Sequence, residues 1–241
     1  MSRITKSAAV SKAYAPDEAD MALINAQALE PLEASEVFAF RVAMCDTRTD
    51  RAFERFSDEA LGQMAALYVG KTVVKDHEPT CDNQVARIFR CEVEDMGDHR
   101  ALVGYAYTLA DEAHAGFIAA IKGGILREVS VSFNCASSTC SICGTNNVES
   151  YCKHWPGRDY EGRQCTYELS DVYDVYELSF VGVPCQRAAG VVKSYGEQPW
   201  APGDDGDGPL EDGCDAAREA SLRLRSARGR AACAAAMQER D

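Results

Sequence analysis

The sequence predicts a mostly β fold of the α+β class, with one folded unit over about residues 36–195. Three observations carry this. Short stretches of alternating apolar and polar residues recur through that span, only two or three segments show helical spacing, and the composition changes at both ends.

The elements follow in order. Phe38, Phe40, Val42 and Met44 alternate with Ala39, Arg41 and Ala43, the period of a strand with one face turned inward. Ser57-Asp58-Glu59 reads as an N-cap with acids in the first helical turn. Leu61, Met64, Ala65 and Tyr68 continue at helical spacing, and Gly70 ends the helix. The strand Lys71–Val74 comes next. Two more, at roughly 84–94 and 100–109, are separated by the turn residues Asp95 to Asp98, with Val85, Phe89, Cys91 and Val93 assigned to one face. Asp111 and Glu112 open a helix with Phe117, Ile118 and Ile121 inward, closed by Gly123-Gly124. Strands at roughly 125–134 and 172–183 bracket a cysteine-rich insert at about 136–165.

Residues 1–35 mix Ala, Asp, Glu and Pro without a sustained period and are expected to form a flexible arm. Residues 197–215 hold seven acids and no base, with Pro and Gly throughout, so 196–241 is expected to be an acidic linker and an Ala- and Arg-rich tail.

Composition narrows the function. At 46% hydrophobic residues the 241-residue chain can bury a core, which excludes a disordered protein. A net charge of -13 argues against a general grip on nucleic acid, where clustered Lys and Arg are needed. No apolar run is long enough to span a membrane, and no apolar segment follows the basic residues at the start, so neither membrane insertion nor secretion is expected. The eleven cysteines are then expected in a reducing compartment, as metal ligands or buried thiols.

Cys140-Ser-Ile-Cys143-Gly144 is a C-x-x-C-G turn, and Cys152-Lys-His154 follows after a short loop. Two thiolates on one turn and a thiolate with an imidazole on the next can close a tetrahedral zinc site. Four such ligands leave no open position, which predicts a structural Zn2+. Cys135 and Cys165 flank the insert and are alternative donors. Buried thiols in a loop are the competing interpretation, but a span rich in Gly, Asn and Ser has little other means of folding.

Three further segments bear on chemistry. His77 lies just beyond a strand in Asp76-His77-Glu78. Ser130 and Ser132 share the open face of a strand whose other face carries Val129, Val131 and Phe133. Glu177 and Ser179 lie opposite the apolar, core-type Tyr176, Leu178 and Phe180 on one strand, and a charge crowded by hydrophobic residues needs a partner. A serine, a histidine that accepts its proton and an acid that fixes the histidine tautomer are the parts of an acyl-transfer site. Spacing does not show that they meet.

The order and wording of these segments resemble the prohead protease family of tailed bacteriophages, which is similar in fold to the herpesvirus assembly protease. The resemblance covers residues 36–195. It rests on Asp76-His77, on the run from Ile121 through Ser130 to Phe133, and on the run from Glu177 through Pro184 to Gly190. It implies a closed antiparallel β-barrel with surrounding helices, His77 as general base, Ser130 as nucleophile and Glu177 as the orienting acid. It also implies a backbone oxyanion donor between Pro184 and Gly190. Ser132 stands where the family usually has Gly. The implied function is a serine endopeptidase that processes scaffold or major capsid protein, and itself, inside a procapsid assembling in the host cytoplasm. A homodimer is compatible with this, and no specific nucleic acid is implied. The alternative from a different class is a non-enzymatic, zinc-stabilised structural or scaffold protein of the phage head.

Overall fold

A computed structural model describes residues 15–186 and 189–191. Its strands are β1 (Val37–Asp46), β2 (Glu54–Phe56), β3 (Thr72–Lys75), β4 (Ala86–Asp95), β5 (Arg100–Leu109), β6 (Val129–Cys140), β7 (Asp159–Tyr160), β8 (Arg163–Gln164), β9 (Tyr167–Phe180) and β10 (Gly190–Val191). Its α-helices are α1 (Glu18–Asn25), α2 (Asp58–Tyr68) and α3 (Ala115–Lys122). The chain is therefore mostly β with few helices. The tail expected at 196–241 lies outside the described residues, as do residues 1–14.

The main sheet runs β10-β1-β5-β4-β3-β9-β2, with β6 also paired to β9. Two features correct the expectation of a closed antiparallel barrel. The ladders form an open sheet, and β9 runs parallel to both β2 and β3. The parallel pairing has a simple cause. Helix α2 lies between β2 and β3 in the chain and returns it to the same end, so both short strands point the same way on either side of β9. The start of β6 meets β10 only at an isolated bridge, Glu128 with Gly190, flanked by Val191 N–H to Arg127 O at 2.6 Å and Val129 N–H to Ala189 O at 3.3 Å.

One face of the sheet carries the main core. Phe40, Val42, Met44, Leu61, Met64, Tyr68, Leu102, Leu178 and Phe180 are all buried there, with Phe117 of α3 edge-on to Phe180. α2 begins as its text predicts, with Ser57 Oγ accepting the Ala60 N–H.

On the opposite face, the described part of the expected arm 1–35 is not loose. Residues 18–25 form α1, capped by Asp17, and Ile24 packs fully buried against Val37, Ala39 and Phe89. Asp20 pairs with Arg90 at 3.2 Å, and that guanidinium lies 3.6 Å from the centre of the Tyr105 ring. A bulge in β4 between Ile88 and Arg90 supplies the site for α1. It turns Phe89 away from Val85, Cys91 and Val93, whose face it was expected to share, and sends Ile88 into the main core instead.

Candidate active site and metal centre

β3 ends on two residues in the left-handed region, Asp76 (φ 55°) and His77 (φ 54°). Neither is glycine, and each such residue costs about 1 kcal/mol or more unless its surroundings hold it. Here β9 holds them: Phe180 O accepts the Asp76 N–H at 2.9 Å, and Ser179 Oγ accepts the His77 N–H at 2.8 Å. This tight turn carries the His77 ring back over β9. Its Nδ1 lies 2.8 Å from Glu177 Oε1.

Glu177 owes its position to a second bulge. The register of β6 and β9 shifts between Ser132 and Phe133, so that Ser132 faces Glu177 and Phe133 faces Val175. Tyr176 is the extra residue, and it is exposed where simple alternation placed it in the core. Tyr68, from the end of α2, spans this break. Its hydroxyl lies 3.1 Å from Ser132 O and 3.3 Å from Glu177 O, so one buried O–H is shared by the two residues that face each other at the site. Burial pushes the Tyr68 phenol well above its ordinary pKa, keeping it a hydrogen-bond donor.

The Glu177 side chain is 4% exposed and the His77 side chain 41%. Of the buried carboxylate's two oxygens, Oε1 has the imidazole and Oε2 has no hydrogen-bond partner. With Glu177 accepting from Nδ1–H, the imidazole is held as the tautomer whose Nε2 lone pair is free to take a proton.

The sequence singled out His77, Glu177 and Ser130, and the structure brings the first two together. The serine in contact with the ring is Ser132, whose Oγ is 3.2 Å from the same Nδ1. Ser130 is one pair further along β6, facing Ser179, and its hydroxyl bonds to no other described residue. Sequence reasoning missed Tyr68 and Ser179 as parts of the site. Tyr68 reads as an ordinary inward helical residue, and nothing local signals that Ser179 caps a backbone N–H a hundred positions away.

The segment expected to supply an oxyanion donor is anchored at its start. Cys185 O accepts the Arg51 N–H at 3.2 Å, and Pro184 O accepts from Arg51 Nη1 at 3.3 Å. Residues 187–188 of that segment lie outside the described residues.

The cysteine insert is the far end of the same two strands. β6 and β9 run past the core as a ribbon, pairing Ser137 with Ser170 and Cys140 with Tyr167. The insert expected at about 136–165 thus begins as strand. At its tip, the ligand atoms of Cys140, Cys143, Cys152 and His154 all lie within 4.8 Å of one another. Gly144 (φ 73°) closes the first turn with its N–H on Cys140 O at 2.8 Å, and Ile142 N–H points at Cys140 Sγ from 3.4 Å. Asn147 Oδ1 accepts the Cys152 N–H at 3.1 Å, fixing the second pair. Gly157 (φ 86°) seats the insert on the body, because a Cβ there would fall 2.6 Å from the Phe53 ring.

The donor set fits a metal ion. His154 Nδ1 is buried with no hydrogen-bond partner, a costly state unless a Lewis acid takes its lone pair. Thr145 lies 3.2 Å from Cys143 Sγ and, with the backbone there, lowers that thiol to about 6, so a thiolate is available at neutral pH. Three thiols and one imidazole suit zinc and close its four positions. Cys135 is excluded as a donor. It packs on the main core, five residues before Cys140 and therefore about 17 Å back along the strand.

No family model matches the chain, and neither does any curated protein or solved structure. Among the described residues no helix is long and apolar enough to cross a membrane.

Proposed function

We propose that this protein is a serine endopeptidase of the kind that matures phage heads, acting on scaffold or major capsid protein and on itself. Its place of action would be the assembling procapsid in the host cytoplasm. The carrying observation is His77 held in a left-handed turn with its Nδ1 on the buried Glu177, beside a strand face bearing Ser130 and Ser132. Residues held in sparsely populated backbone regions cluster at functional sites, which supports reading this turn as one.

The two ring nitrogens have different roles in this reading. Nδ1 has one hydrogen, directed to Glu177, so a hydroxyl at Nδ1 cannot pass its proton there. The base is Nε2. Ser132 occupies the Nδ1 side; the family resemblance assigns the nucleophile to Ser130, the other hydroxyl on that face of β6, and in this reading it is Ser130 that Nε2 serves. Its proton moves to Nε2 as Oγ bonds to the scissile carbonyl carbon. Nε2–H then protonates the leaving amine, and water releases the acyl group by the same steps in reverse. Glu177 stabilises the imidazolium formed between them. The zinc site, closed by its four ligands, organises the insert and takes no part in these steps.

Co-expression with the major capsid protein of the same phage tests the reading. Shortened capsid or scaffold protein, and a shortened protease, are expected with the native chain and not with Ser130→Ala. Full-length products in both cases would favour the non-enzymatic head protein.

A further inference from the structure

Cys165 lies outside the four-ligand set, yet its Sγ is 3.8 Å from Cys140 Sγ and it is fully buried. Two sulfurs bound at about 2.3 Å to one tetrahedral zinc stand about 3.8 Å apart, a separation that the Cys140–Cys165 pair matches, although a thiol hydrogen bond spans the same distance and Cys165 lies outside the mutually close set of four. The position of Cys165 is fixed relative to the metal turn. Its own N–H bonds to Arg158 O at 2.8 Å, Gly157 N–H bonds to its carbonyl at 2.8 Å, and its neighbour Thr166 exchanges two 2.9 Å bonds with Ser141, inside the C-x-x-C step. Tyr167, two residues on, donates to His154 O at 2.6 Å, tying the histidine to the same short segment.

We propose that Cys165 is a fifth donor of the metal site, sharing one coordination position with His154. Cys140, Cys143 and Cys152 are common to both arrangements, and the ion is completed either by the His154 imidazole or by the Cys165 thiolate. In the exchange the His154 N–Zn bond breaks as the Cys165 S–Zn bond forms, and the thiol proton passes to the freed imidazole or to water. Charge accompanies the swap: three thiolates and an imidazole give a site of net charge −1, and four thiolates give −2. The inference rests on the reading of the cluster as a zinc site.

The test is zinc affinity of the full-length chain, measured under reducing conditions by competition with a chromophoric chelator, with X-ray absorption reporting the sulfur count. His154→Ala is expected to retain about one equivalent, bound about 10–100-fold more weakly, with four sulfurs in the shell. Cys165→Ala is expected to retain one equivalent with three sulfurs and one nitrogen. The double variant should lose at least another tenfold beyond His154→Ala. A His154→Ala protein that binds no better than the double variant, or that holds zinc with only three sulfurs, would overturn the role of Cys165. Uptake of no zinc by the native chain would overturn the metal reading itself, so the two failures are distinct.

Discussion

Tyr68→Phe removes one hydroxyl and leaves the buried ring in place, which makes it a clean probe of how the site is held. That hydroxyl lies 3.1 Å from Ser132 O and 3.3 Å from Glu177 O, and the Tyr68 side chain is fully buried. Its loss strips a donor from two carbonyls at a break in the β6–β9 ladder, at an expected cost of about 1–3 kcal/mol. For a folded unit of this size that corresponds to a fall in Tm of about 2–4 °C per kcal/mol. Loosening the bulge should also let Glu177 and Ser132 drift from His77, and a misplacement on the order of 1 Å can cost up to about 100-fold in turnover. Urea unfolding of native and variant protein, read beside kcat on one peptide substrate, gives both quantities. A Tyr68→Phe protein with unchanged midpoint and unchanged kcat would refute this account of the bulge.

Ile24→Ala should destabilise the fold by about 2–4 kcal/mol, because Ile24 is fully buried between α1 and β4; a change under about 0.5 kcal/mol in the same urea assay would return 15–35 to a loose arm. Zinc uptake through Cys140, Cys143, Cys152 and His154 at pH 7 should release about two protons. Burial raises the Cys140 and Cys152 thiols, so both are protonated before binding, whereas Cys143, lowered to about 6, is already mostly thiolate. Affinity should then fall on acidification through pH 8 to 7 by about a hundredfold, and calorimetry in buffers of different ionisation enthalpy would expose a pH-independent site. Glu177→Gln should lower kcat by about 10²-fold, less than loss of the nucleophile, since base and hydroxyl remain; equal losses would mean that Glu177 does more than orient His77.

Local pattern was enough for α2 and α3, and for β1 and β5, whose larger apolar residues mark the main-core side even though both strands bury residues on either face and β1 has a bulge between Ala43 and Cys45. It failed at the bulges of β4 and β9. The alternation read for β4 put Phe89 with Cys91, and that for β9 put Tyr176 in the core. In both strands one extra residue flips the faces, and no residue type there announces it. The parallel course of β2 and β3 beside β9 was hidden because pairing between distant strands leaves no trace in either sequence. α1 was passed over because its eight residues expose most of their surface and depend on Ile24 and the Asp20–Arg90 pair for attachment. The Cys/His cluster was legible because turn chemistry places C-x-x-C and C-x-H donors locally, with only the joining of the two turns left to the fold. His77 and Glu177, a hundred residues apart, were connected by resemblance alone; the left-handed turn and the bulge that bring them together are visible only in three dimensions.

The central claim is that Nε2 of His77 activates Ser130. The direct measurement is labelling of the purified protein with a fluorophosphonate, followed by peptide mapping of the modified residue. A phosphonyl ester on Ser130 is expected, formed as fluoride leaves, absent in Ser130→Ala and largely retained in Ser132→Ala. The loss of peptide cleavage in Ser130→Ala should be on the order of 10³-fold or more. Label on Ser132, with Ser130→Ala still active, would contradict the assignment; no label on either serine would contradict the enzyme.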